Sequence, residues 1–69
     1  MSAQMLDHDV GTILAALRRI YGVETDEDVF VLAFESQGMG DARNEYRMFR
    51  QAGGLFLPAC VQCEYSQRA

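Results

Sequence analysis

The chain contains no lysine, a single histidine, a single proline and two cysteines among its 69 residues. The missing lysines bear first on partners. All side-chain positive charge rests on six arginines against ten carboxylates, a net charge of -4 with His8 neutral. Proteins that hold nucleic acid by neutralising phosphates usually carry clustered Lys and Arg on a basic domain, so the overall balance disfavours acidic partners. The lone His8 is flanked by Asp7 and Asp9, and an exposed, slightly more basic imidazole fits that setting better than a catalytic base. There is no G-x-S-x-G and no phosphate-binding glycine pattern, and so small a body has little room to enclose a substrate. A protein that is not an enzyme is expected. No run approaches the ~18 apolar residues of a membrane helix. The N-terminal MSAQMLDHDV lacks the basic start and apolar middle of an export signal, so a cytoplasmic location without membrane association is expected.

In that compartment the two cysteines are expected to be reduced thiols. Cys60-Val-Gln-Cys63 supplies two thiolates where a closed zinc site needs four ligands. His8 offers a third, and no fourth stands out. A redox role needs a thiol activated at a helix N-terminus, which Cys60 just after Pro58 would satisfy, but the strand of a βαβ framework is not apparent before the motif. Packing is the favoured reading, since free cysteine behaves as a small apolar residue. No cofactor and no metal are expected.

The length fits a single domain over residues 1–69. Such a chain buries only about 60% of the surface its unfolded form exposes, and hydrophobic residues make up 49% of it. That is more apolar surface than a small core hides, which favours a homodimer.

From Leu6 to Gly22, the residues Leu6, Val10, Ile13, Leu14, Leu17 and Tyr21 recur at steps of three and four, the stripe of an amphipathic helix. Gly22 ends it, and Arg18 and Arg19 complement its carbonyl end. Gly11 lowers helix propensity there, by about 1 kcal/mol relative to alanine, and marks a suspected close backbone contact. Thr25-Asp-Glu-Asp28 reads as a capping box. The following Val29 to Phe34 is a short apolar run that fits a buried strand or, with the cap in front, a helix; the cap favours helix. Gly38-Met-Gly40 is a turn, with Asp41 placed to cap a third helix on which Ala42, Tyr46 and Phe49 share a face before Gly53-Gly54 ends it. Pro58 fits the first position of a fourth helix, against a strand reading in which Ala59, Val61, Cys63 and Tyr65 alternate. The expected fold is all-α, a bundle of three to four short helices with Leu14, Leu17, Phe30, Phe34, Phe49 and Val61 in its core. The alternative is α+β with strands at 29–34 and 59–65.

Charge is unevenly distributed. Glu24, Asp26, Glu27, Asp28 and Glu35 lie in a stretch without a base between Arg19 and Arg43, whereas Arg43, Arg47 and Arg50 follow close together. One negative and one locally positive face are expected. Two plainer readings exist: the acids stabilise a helix N-terminus, and the arginines form a solvated face paired with Asp41 and Glu45.

The order VGTILAALRRIYGV, the capped TDEDVFVLAF, a glycine turn, a helix bearing Arg and Asn, then GGLFLPACVQCEY resembles phage repressor-type, lambda-repressor-like helix-turn-helix domains from about Val10 to Tyr65. Phe49, Gly53 and Pro58 follow in the family's order. Phe30 and Phe34 stand in the capped helix, in whose middle the family usually has a small residue. The resemblance implies a dimeric DNA-binding transcriptional regulator whose groove-facing side chains are Arg43, Asn44 and Arg47, with Arg50 on the same helix. Composition and charge place another function first: a small acidic regulator that occupies a partner protein's surface as an inhibitor or adaptor, one form of which is a phage-encoded inhibitor whose acidic body competes for the basic groove of a host nucleic-acid-binding system. Its expected partner-binding residues are Glu24, Asp26, Glu27, Asp28 and Glu35, with Val31 and Phe34. DNA is a partner only under the helix-turn-helix alternative.

Overall fold

Four helices account for the regular structure of residues 9–69, the part described by a computed structural model: α1 Val10–Tyr21, α2 Asp26–Ser36, α3 Ala42–Gln51 and α4 Ala59–Arg68. No strand occurs among the described residues, so the strand readings of 29–34 and 59–65 fall and the all-α one stands. The expected contributions of Leu6 and His8 lie outside the described residues.

Local chemistry explains where the helices begin and end. At α2 the Asp28 N–H donates to Thr25 Oγ1 at 3.1 Å, and Asp26, Glu27 and Asp28 fill the first turn, where negative charge suits the helix dipole. That cap commits an otherwise ambiguous apolar run to helix. α1 stops at Gly22, whose φ of 72° lies in the left-handed region that side chains resist. Its N–H donates to the Arg18 carbonyl at 2.8 Å. Asp41 does occupy the position before α3, but with a left-handed φ of 64° its side chain makes no capping bond. Pro58 precedes α4 rather than opening it, in an extended conformation. The close backbone approach expected at Gly11 is not found: the glycine is exposed, and a methyl group there would meet only the Asp9 carboxylate, at 3.2 Å.

α2 is the central element, with α1, α3 and α4 all packed against it, whereas α3 packs on α2 alone among the helices. All six residues expected in the core are buried, joined by Ile13, Val29, Ala33, Leu57 and Cys60. Phe30, fully enclosed, lies 5.1 Å centroid to centroid from both Tyr46 and Phe49 and 6.0 Å from Phe34. The contacts with Tyr46 and Phe49, each worth about 0.5–1.5 kcal/mol beyond area burial, tether α3 by its inner face and leave its outer face to solvent. No helix of the described residues is long and apolar enough to cross a membrane.

Candidate functional site

Helical spacing places Arg43, Arg47 and Arg50 on the outer side of α3, and all three are exposed together with Asn44. With Glu27 and Tyr46 they line a shallow groove of about 500 Å³. Arg43 Nη1 donates to Glu27 Oε2 at 3.0 Å, an exposed pair worth at most about 1 kcal/mol. Arg47 Nη2 donates to Asn44 Oδ1 at 2.6 Å, one turn away. Among the described residues neither Arg47 nor Arg50 forms an ion pair. The expected pairing of these arginines with Asp41 and Glu45 is therefore not formed, because the acid that reaches Arg43 comes from α2.

The negative stretch is likewise not a free face. Asp26 is bonded to Arg18 of α1, Glu27 to Arg43, and the Asp28 backbone is engaged by the Thr25 cap. Packing α1 and α3 on either side of α2 brings their arginines onto its acidic N-terminal turn, so the expected separation into two charged faces is lost there. Glu24 and Glu35 remain exposed. Phe34 is 3% exposed and belongs to the core, which removes it from the expected docking surface. Val31 is half-buried and, with Glu35, Met39 and Asp41, lines a hollow of about 390 Å³ between the end of α2 and the start of α3.

Two features escape the sequence reading. The first lies between α3 and α4, where Leu55 and Phe56 are 65% and 82% exposed, while the adjacent Leu57 is buried. The Leu57 carbonyl accepts from Gln62 Nε2 at 2.8 Å, which fastens the segment with Leu57 inward. Met48 of α3, the helix that leads into this segment, is also half-exposed. The signal was GGLFLP itself: three apolar residues between paired glycines and a proline, too few to fold back over one another.

The second is Glu64, 1% exposed at the core side of α4. Its Oε1 accepts from Tyr21 Oη at 2.5 Å and from Arg68 Nε at 2.7 Å. Its Oε2 accepts from Ser36 Oγ at 2.9 Å and from Gln37 Nε2 at 2.7 Å. These donors, led by Tyr21 and Arg68, outweigh desolvation and hold the carboxyl at about 2. Burial and the same contact push the Tyr21 phenol up to about 12, and the Arg68 guanidinium lies 5.3 Å from that ring's centroid. Spacing was the signal here too, since Glu64 follows Cys60 and Val61 by four and three residues on their buried stripe.

Cys60 and Cys63 are both free thiols. Cys60 is in the core, and burial pushes its pKa up, opposite to what an activated thiolate requires. Cys63 is half-buried and accepts from Gln67 Nε2 at 3.3 Å. No group of three or more His, Cys, Asp or Glu side chains placed to hold a metal occurs among the described residues; His8 lies outside them. No protein-family model, curated protein or solved structure matches the chain.

Proposed function

We propose that this chain is a small binding protein that docks on a partner protein through the outer face of α3 and the segment leading from it to α4, acting as an inhibitor or adaptor. The exposure of Phe56 and Leu55 carries the reading. A phenylalanine buries about 150–250 Å² when it is enclosed, and a chain with so little core has every thermodynamic reason to enclose it. Here it is held outward between the end of a helix and a buried Leu57. The composition fits: protein interfaces are enriched in aromatic residues, Met and Arg and depleted in Lys, and α3 with the segment after it exposes Phe56, Met48, Arg47 and Arg50 in a chain without lysine. In this reading Phe56 fills a pocket on the partner, as hot-spot aromatics do, while the arginines fix orientation at the rim. The two free thiols support a cytoplasmic setting.

The test is capture of a partner from a cell extract by the immobilised protein, compared with Leu55→Ser/Phe56→Ser. Both side chains are solvent-exposed, so the variant should fold with an unchanged circular dichroism spectrum and lose the partner. If the folded double variant retains the same partner at the same yield, the reading is wrong.

A second reading, sequence-specific DNA binding by α3, has one observation in its favour: Arg43, Asn44, Arg47 and Arg50 line a single groove. Against it stand the Glu27 carboxylate inside that groove and ten acids in the chain, whose repulsion of phosphate works against counterion release. A mobility shift at low salt that disappears with Arg47→Ala would favour this second reading over the first.

A further inference from the structure

The docking reading leaves open what kind of surface the partner presents, and the ion pairing of the chain bears on that. Ten carboxylates compete for six arginines, so in an acid-rich body each arginine has carboxylates to choose from. Arg18, Arg43 and Arg68 take Asp26, Glu27 and Glu64. Arg19, Arg47 and Arg50, all exposed, take none among the described residues, and of these only Arg47 and Arg50 stand one turn apart on the same helix. The groove beside them is lined by one carboxylate, Glu27, and that one already accepts from Arg43. Resting on the docking reading, we propose that the α3 groove and the Leu55-Phe56 segment together bind a carboxylate-bearing protein segment with an apolar anchor: its acids on Arg47 and Arg50, its anchor against Phe56.

The chemistry of the two halves selects this occupant over others. Guanidinium groups take carboxylates through paired N–H donors in a fixed plane, which gives register as well as attraction. A second copy of this chain fits worse, because the patch it would present again holds two unpaired arginines and a single carboxylate, Glu27, that already accepts from Arg43. A DNA backbone would satisfy the arginines but leave Phe56 and Leu55 facing phosphate and water. An acidic peptide satisfies both halves: against a net charge of -4 it need bring only one or two carboxylates, to Arg47 and Arg50, whereas a duplex sets a whole row of phosphates against the ten acids of the chain.

The experiment is selection of a displayed library of random peptides on the full-length protein, with a pool of random duplex DNA selected in parallel. Enrichment of Asp and Glu next to Leu or Phe is expected. The best such peptide, synthesised and titrated at low salt, should lose about tenfold or more in affinity to Arg47→Glu/Arg50→Glu, weaken with added salt, and fail to bind Phe56→Ser. Enrichment of basic or neutral peptides, no enrichment at all, or affinity indifferent to the charge reversal would overturn the proposal. So would enrichment of a duplex on α3, which would put DNA there instead. Neutral peptides that still require Phe56 would remove the acidic partner and leave the docking surface standing. Peptides indifferent to both changes would remove both. Sedimentation of the free protein adds one further outcome: a dimer that Phe56→Ser dissociates would put a second copy on this surface and overturn the proposal.

Discussion

Removing the charge of Glu64 should destabilise the bundle most near neutral pH and progressively less as the pH falls toward 2. A carboxyl held at about 2 instead of its ordinary 4.5 binds its proton less readily folded than unfolded, and at ~1.4 kcal/mol per tenfold change the ionised form contributes about 3 kcal/mol. Because the folded pKa is depressed, this contribution is present above pH 4.5 and lost as pH falls toward 2; about 2 kcal/mol of it is gone by roughly pH 3. Tyr21 sets the opposite limb. Its phenol is raised to about 12 from 10, so its contribution holds below 10 and is lost as pH rises through 12. Glu64→Gln keeps the shape and an acceptor oxygen for Tyr21 and Arg68, while its amide N–H groups face Ser36 and Gln37, which can turn to accept them. What it removes is the charge, at an expected cost of about 2–3 kcal/mol near neutral pH. Urea unfolding followed by far-ultraviolet circular dichroism, at about pH 7 and about pH 3, measures both quantities. Wild type and variant should differ at neutral pH and converge in acid. Equal stability at neutral pH, or an acid loss in Glu64→Gln as steep as in wild type, would refute the assignment of Glu64 as the buried anion joining α1, α2 and α4.

Two other perturbations separate packing from function. Cys60→Ser should cost about 1–3 kcal/mol by placing a hydroxyl in the core, and Cys63→Ser less, with binding unaffected by either; a thiol reagent should modify Cys63 well before Cys60, and equal rates would contradict the burial of Cys60. Asp26→Arg with Glu27→Arg removes favourable charge from the first turn of α2, at about 0.3–1 kcal/mol per site, and sets new arginines against Arg18 and Arg43. Its expected effect in urea unfolding is on stability, with partner capture retained once the variant is folded; loss of capture in a folded variant would return the docking site to the acidic turn.

The parts of the fold that were legible in the sequence are those decided within a few residues. The α1 stripe from Val10 on, the Thr25 cap and the stop at Gly22 each act locally and each is where the spacing places it, while α3 ends at Gln51, just before the paired glycines. Val29 to Phe34 read ambiguously for a reason the structure supplies. α2 is covered by three other helices, so its apolar positions spread around much of its circumference and the one-sided pattern that identifies a helix is blurred. The charges misled for the complementary reason. Which acid meets which arginine depends on α1 and α3 flanking the start of α2, and separations of 8 and 16 residues along the chain hold no local signal. Spacing behind Cys60 and Val61 marks Glu64 as a buried position, but its cost is met by Tyr21, Ser36, Gln37 and Arg68 at the C-terminal ends of three helices, and only their convergence, which no local pattern shows, permits a carboxylate there.

The central place of α2 also decides which surfaces the docking proposal can use. A helix covered on three sides stabilises the body but offers little surface, which is why Phe34 is lost as a contact residue and Val31 is reduced to the wall of a hollow. α3 has the reverse position. Held by Phe49 and Tyr46 against Phe30 and packed on no other helix, it uses its inner face for cohesion, and its outer face contributes to the fold only the exposed Arg43–Glu27 pair. Arg47, Arg50 and the following Phe56 can therefore change with little effect on folding, since surface substitutions away from caps and networks usually stay within about 0.5 kcal/mol. A surface whose residues stability does not need, yet which keeps an exposed phenylalanine and two arginines without carboxylates, is where binding can be tuned independently of the fold.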